Sequence, residues 1–197
     1  GHVGIKKNKL YFHEISEGER AHYSKRTVDI EYDYPFGRKE LYGLAYRSDF
    51  DLKNHAEKSG RDFPKPLPHV IEPTFGLDRT ILVAMLEAYN EEEAPTAEEG
   101  ETEKRIVMKF PKWMAPFKVA ILPLSKKEEL TKVSHSVYDD LRKNLVCDYD
   151  ESQSIGKRYR RQDEIGTPFC VTVDFETLED NAVTVRDRDT MKQERIK

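Results

Sequence analysis

The sequence predicts an α+β domain with an antiparallel sheet, followed by an α/β domain built on a mixed sheet. Three observations predict it. Thr27 to Tyr34 alternates apolar and charged residues at period two, and a second strand-like run at Glu40–Arg47 follows across a turn. Lys118-Val-Ala-Ile-Leu-Pro-Leu124 is a continuous apolar run, the pattern of a strand covered on both faces. Between these regions, residues 90–103 form an acidic stretch with almost nothing apolar to bury.

In chain order, 27–34 is a strand with one wet face, Pro35-Phe-Gly37 turns the chain, and 40–47 returns as its antiparallel partner. Leu67 to Pro73 is a short third strand. Residues 81, 82, 85, 86 and 89 carry the apolar face of a helix spanning 78–89. The stretch 90–103 reads as a solvated loop, so a boundary falls between about 90 and 115, dividing the chain into 1–105 and 106–197. Phe110 to Pro116 is the ordered entry to the second part. There the strand at 118–124 precedes a helix over 126–144, with apolar residues at 130, 133, 137, 141 and 145. Strands at 145–149 and 169–175 flank a polar helix, giving βαβαβ. Ala182 to Arg186 adds an antiparallel strand, and Thr190 onward begins a helix.

Charge is distributed unevenly. Residues 1–89 carry 14 basic and 14 acidic groups, whereas 90–105 carry seven glutamates against Lys104 and Arg105. Residues 106–197 carry 17 basic and 16 acidic groups, so the second domain is not a generally basic module. No apolar run reaches the ~20 residues of a membrane-spanning helix, and no secretory signal is visible. Cys147 and Cys170 fit neither a disulfide framework nor a zinc spacing, which points to a reduced, cytoplasmic protein. His13, His22, His55, His69 and His135 show no ligand spacing, so no metal site is expected. Dinucleotide, phosphate-loop, zincin and nucleophile-elbow motifs are absent.

One segment carries chemistry. Glu72-Pro-Thr-Phe-Gly-Leu-Asp-Arg79 sets a carboxylate on a strand end, a glycine in the turn and an arginine in the first helical turn. Free N–H groups at the helix start, backbone accessible at Gly76 and a planar guanidinium suit a nucleotide. The same residues also fit an ordinary strand–helix corner with solvated charges. In the second domain, Lys157, Arg158, Tyr159, Arg160 and Arg161 form a basic cluster with an aromatic inside it, with Arg186 and Arg188 further on. This is either an RNA-facing patch or a solvated helix face.

His69-Val-Ile-Glu-Pro-Thr-Phe-Gly-Leu-Asp-Arg79 resembles the third signature motif of class II aminoacyl-tRNA synthetases, in the form used by glycyl-tRNA synthetases. Residues 20–29, 35–37 and 40–52 are similar to the catalytic-domain stretch preceding that motif. Residues 115–124, 154–166 and 185–191 are similar to the anticodon-binding domain of the same family. The resemblance implies the rear part of an antiparallel-sheet catalytic domain, with the third motif at 69–79, then a mixed-sheet α/β anticodon-binding domain. It also implies ATP-dependent activation of glycine to glycyl-adenylate and transfer to tRNA(Gly).

What the resemblance implies for individual residues is as follows. Glu40, Glu72, Thr74 and Gly76 hold glycine, with threonine standing where the family commonly has serine. Glu40, Leu41, Gly76, Leu77, Asp78 and Arg79 border ATP, which is a substrate and comes with Mg2+. Lys157, Arg158, Arg160, Arg161, Arg186 and Arg188 bind tRNA. No protein nucleophile is required, so no catalytic side chain is assigned. The first two motifs of the class are not found in residues 1–68, so a fragment is expected, inactive by itself, with a homodimer expected for its full-length parent. The alternative is a synthetase-like module that binds tRNA and performs no chemistry.

Overall fold

The computed structural model describes residues 2–95 and 101–197. It contains two compact units, one of residues 5–84 and one of residues 85–197 joined by 2–4. The second unit starts earlier than the expected 105/106 division because the hairpin after residue 88 packs with it, through its strand Thr102–Met108 on the helix Ile155–Ile165.

The first unit is a four-stranded antiparallel sheet in the order β1-β2-β3-β4. Its strands are β1 (Leu10–Glu14), β2 (Arg26–Tyr34), β3 (Gly37–Ser48) and β4 (Val70–Phe75). β1 and the helix α1 (Phe50–Ser59) were not anticipated, since neither carries a clear apolar period. Tyr32, Tyr34 and Leu41 are among its buried side chains. α2 (Leu77–Ala88) follows β4 directly, and its start is tied down by Thr80, which donates to the Gly76 carbonyl at 2.8 Å and meets the Tyr42 hydroxyl at 3.0 Å.

The second unit opens with β5 (Tyr89–Pro95) and β6 (Thr102–Met108), an antiparallel hairpin where a loop was expected. Its charges are cross-strand partners: Glu92 faces Arg105 and Glu93 faces Lys104, while Ala94 and Val107 are buried. Composition shows the charge but not the pairing; residues 96–100 of the expected loop lie outside the described residues.

The mixed sheet runs β11-β10-β9-β7-β8. It comprises β7 (Val119–Pro123), β8 (Cys147–Tyr149), β9 (Phe169–Val173), β10 (Val183–Asp187) and β11 (Gln193–Ile196). β7 pairs in parallel with β8 and β9, and β10 is antiparallel to its neighbours. Alternate β7 residues serve opposite faces. Val119 and Ile121 pack under α3 (Glu128–Leu141), whereas Ala120 and Leu122 pack under α4 (Ile155–Ile165). Cys147 belongs to the first of these clusters and Cys170 to the second, so the two thiols stay apart and free. Gly166 ends α4 at φ 89°, where a β-carbon would fall 2.6 Å from the Met108 carbonyl oxygen. A short helix, α5 (Thr177–Asp180), leads into β10.

The helix expected from Thr190 is instead β11. The Asp187 carboxylate accepts from the backbone N–H groups of Asp189 and Thr190, closing a turn that sends the chain back along β10. Arg195 then ties β11 to Asp174 and Asp180. Pairing with an edge strand outweighs the weak helical preference of so short a segment.

Candidate functional site

The site is built on one face of the first sheet. Asp29 on β2 and Thr74 on β4 both lie opposite Gly43 on β3, so their side chains share a face. Glu72 stands opposite Ala45 on that face. Counted at period two, Glu40 would point the other way. The register shift between Ile30 and Glu31 aligns Glu31 with Glu40 and changes the parity, bringing Glu40 beside Asp29. The bulge therefore completes the acidic cluster.

Tyr23, Asp29, Glu40, Gly43, Glu72 and Thr74 all line a cavity of about 320 Å³. Burial pushes the Asp29 carboxyl above the ordinary aspartate range, and the negative charge of Glu40 adds to the rise. Glu72 is held from behind, since the Arg47 guanidinium donates to its Oε2 at 2.7 Å. Arg79 joins the site through Glu40, donating from Nη1 to the Glu40 carbonyl at 2.9 Å with the carboxylate at 3.3 Å. Its side chain is 53% exposed. A small cation among the carboxylates and a flat ring near Arg79 are the ligands this arrangement suits.

Glu40, Glu72 and Thr74 thus come together, with Arg79 attached at one end. Gly76, Leu77 and Asp78 form the strand–helix corner beside Arg79, and the Arg79 stem covers Gly76 at 3.6 Å from a notional β-carbon. The Leu41 side chain is only 1% exposed, so it packs in the core and leaves only its main chain for a ligand. Asp29, Gly43 and Arg47 were missed as site residues. A glycine inside an otherwise regular strand was the one available signal.

The basic cluster of the second unit does not form one open patch. Arg158 is 2% exposed, and its guanidinium donates to the carbonyls of Pro123, Glu151, Ser152 and Gln153. Arg186 is buried in a two-bond pair with Asp163, at 2.9 and 3.1 Å. Arg188 is buried too, donating to the carbonyls of Gly166 and Phe110 at 2.8 and 2.9 Å. These three hold the unit together and are not available to RNA, because an arginine whose donors are filled by buried acceptors has none to offer a phosphate. Arg161 pairs with Asp150 at 2.6 Å, and Arg160 donates to the Lys104 carbonyl at 3.0 Å; both are partly accessible. Lys157 is exposed.

Among the described residues, no three His, Cys, Asp or Glu side chains are grouped to hold a metal ion, and no helix is long and apolar enough to cross a membrane.

The fold resembles that of a prolyl-tRNA synthetase from Cryptosporidium parvum, solved with L-proline and AMP. The TM-score is 0.64 at 19% identity, over 99% of this chain and 40% of that one. Residues 118–197 match the family described as anticodon binding domain. The chain is therefore similar in fold to a segment of a synthetase, and its second unit matches an anticodon-binding family. Similar curated proteins include glycine–tRNA ligases. The one from Clostridium perfringens is 52% identical over 203 residues, covering 99% of this chain and 43% of its own length. The one from Thermobifida fusca is 50% identical over 205 residues, covering 98% and 44%. The chain thus matches glycine–tRNA ligases along nearly its whole length, and it spans less than half the length of these curated relatives.

Proposed function

We propose that this chain contributes to a glycine–tRNA ligase the rear wall of the glycine and ATP sites, in residues 1–105, and the anticodon-binding domain, in residues 106–197. The observation that carries the reading is the shared cavity of Glu40 and Glu72, with Arg79 ion-paired to Glu40 at its edge. In the reaction a glycine carboxylate oxygen attacks the α-phosphorus of ATP, the bond to pyrophosphate breaks, and glycyl-adenylate forms. The glycyl group then passes to the terminal ribose of tRNA(Gly). Glu40 and Glu72 hold the glycine ammonium, Thr74 limits the room beside it, and Arg79 covers the adenine. Nothing here acts as a nucleophile: the chain positions reactants and balances charge.

Mg2+ accompanies ATP as part of that substrate. Rejection of alanine rests on lack of space, because glycine has no side chain to grip. The ligase works in the cytoplasm as a homodimer. Glycine-dependent ATP–pyrophosphate exchange by the full-length ligase carrying this segment tests the reading. Exchange with glycine and not alanine is expected. Exchange with a different amino acid would overturn it, and tRNA binding without any exchange would leave only the non-catalytic module.

A further inference from the structure

Gly43 has no backbone reason to be glycine. It lies just past the bulge between Glu40 and Tyr42 of β3, yet its own pairings with Asp29 and Thr74 are in register and its φ is outside the left-handed region, so the bulge itself does not call for glycine. A glycine inside a strand weakens it, and one that the local backbone does not require marks a close approach by something else. The protein itself does not need the room. A β-carbon at position 43 would stand 3.8 Å from Asp29 Oδ1, 3.8 Å from Glu40 Oε1 and 3.9 Å from the Thr74 β-carbon, all ordinary van der Waals distances. Alanine would fit, filling a methyl-sized space bounded by two carboxylate oxygens and a threonine.

We infer that Gly43 is a specificity-determining residue: its missing side chain leaves a slot between Asp29, Glu40 and Thr74 that receives the ammonium group of the amino acid, with Asp29 as a further carboxylate touching it. This rests on the glycine-ligase reading and sharpens it. Two anionic oxygens across a narrow gap suit a primary ammonium, and the slot opens on the cavity that Glu72 also lines. An amino acid with a side chain meets Thr74 at the same point.

Gly43→Ala separates the possibilities because it is predicted to fold. The 197-residue chain carrying it should melt at the same temperature as the parent or higher. In pyrophosphate exchange by the full-length ligase, the KM for glycine should rise roughly 10- to 200-fold, the range for one methyl group in a fitted pocket, with the KM for ATP within about twofold. Asp29→Asn should raise the glycine KM in the same selective way. An active parent whose Gly43→Ala form keeps its glycine KM would overturn the slot while leaving the ligase reading intact. So would a Gly43→Ala chain that melts lower, since the space would then not be free. A parent with no glycine-dependent exchange would overturn the ligase reading itself.

Discussion

Arg47 donates one hydrogen bond to Glu72 at 2.7 Å while its other nitrogens grip Asp51 at 2.7 and 2.6 Å. The same guanidinium lies over the Tyr23 ring, 3.9 Å from its centroid. Glu72 is therefore oriented by a guanidinium that Asp51 and Tyr23 hold in place, with Oε2 engaged. Arg47→Lys keeps the charge but loses the fork. It should raise the glycine KM about tenfold in pyrophosphate exchange, in line with one charge-assisted hydrogen bond, and Arg47→Ala should raise it further. If both variants melt lower but keep the glycine KM, Arg47 serves the scaffold alone.

What the sequence shows depends on how local the cause is. The strands of 27–34 and 40–47 follow from alternation, and β7 from its apolar run, because each pattern is complete within a few residues. The shift that aims Glu40 at Asp29 is a matter of register between two strands, which no single window contains. The basic helix misleads for the same reason. Arg158 reaches Pro123 and Arg188 reaches Phe110, 35 and 78 residues away, so charge counted along the chain mistakes internal ties for an open surface. Glu40 and Glu72 were legible through the resemblance of their flanking segments, whereas Asp29 and Gly43 become visible only when the strands are laid side by side.

Asp163 is buried and accepts from two arginines, Arg105 at 2.8 Å and Arg186 at 2.9 and 3.1 Å. Arg105 also pairs with Glu92 on β5, so this carboxylate ties the hairpin and β10 to α4. Asp163→Asn leaves two buried guanidinium groups undercompensated and should cost about 3–5 kcal/mol in urea unfolding. The double variant Asp163→Leu with Arg186→Met should recover part of that loss. No recovery would mean that the network does not act as a unit.

Lys157 and Arg158 are neighbours on α4 with opposite fates. Arg158→Ala strands four main-chain carbonyls and should lower stability by about 2–3 kcal/mol. Lys157→Ala should leave stability within about 0.5 kcal/mol. In gel shifts with tRNA it should weaken binding and reduce the salt slope by about 1, the signature of one lost phosphate contact. An unchanged slope would move the RNA-facing surface away from this helix.

Asp187 governs the acid end of stability. Burial pushes its carboxyl up, but the Lys112 ammonium at 2.7 Å and the Thr190 N–H and hydroxyl outweigh this and hold it at about 2, against the ordinary 3.8. A carboxylate depressed in the folded state contributes stability above its unfolded value, and that contribution disappears as pH falls from 3.8 toward 2. Asp180 behaves alike: hydrogen bonds from Arg195 and the Ala182 N–H hold it at about 2. Both residues fasten the β10–β11 hairpin, so its amides should lose hydrogen-exchange protection in this window before those of β7. Asp187→Asn should lower the urea midpoint at neutral pH, and the gap from the parent should close at about pH 2. A gap of equal size at both pH values would show that the side chain acts through its shape and not its charge.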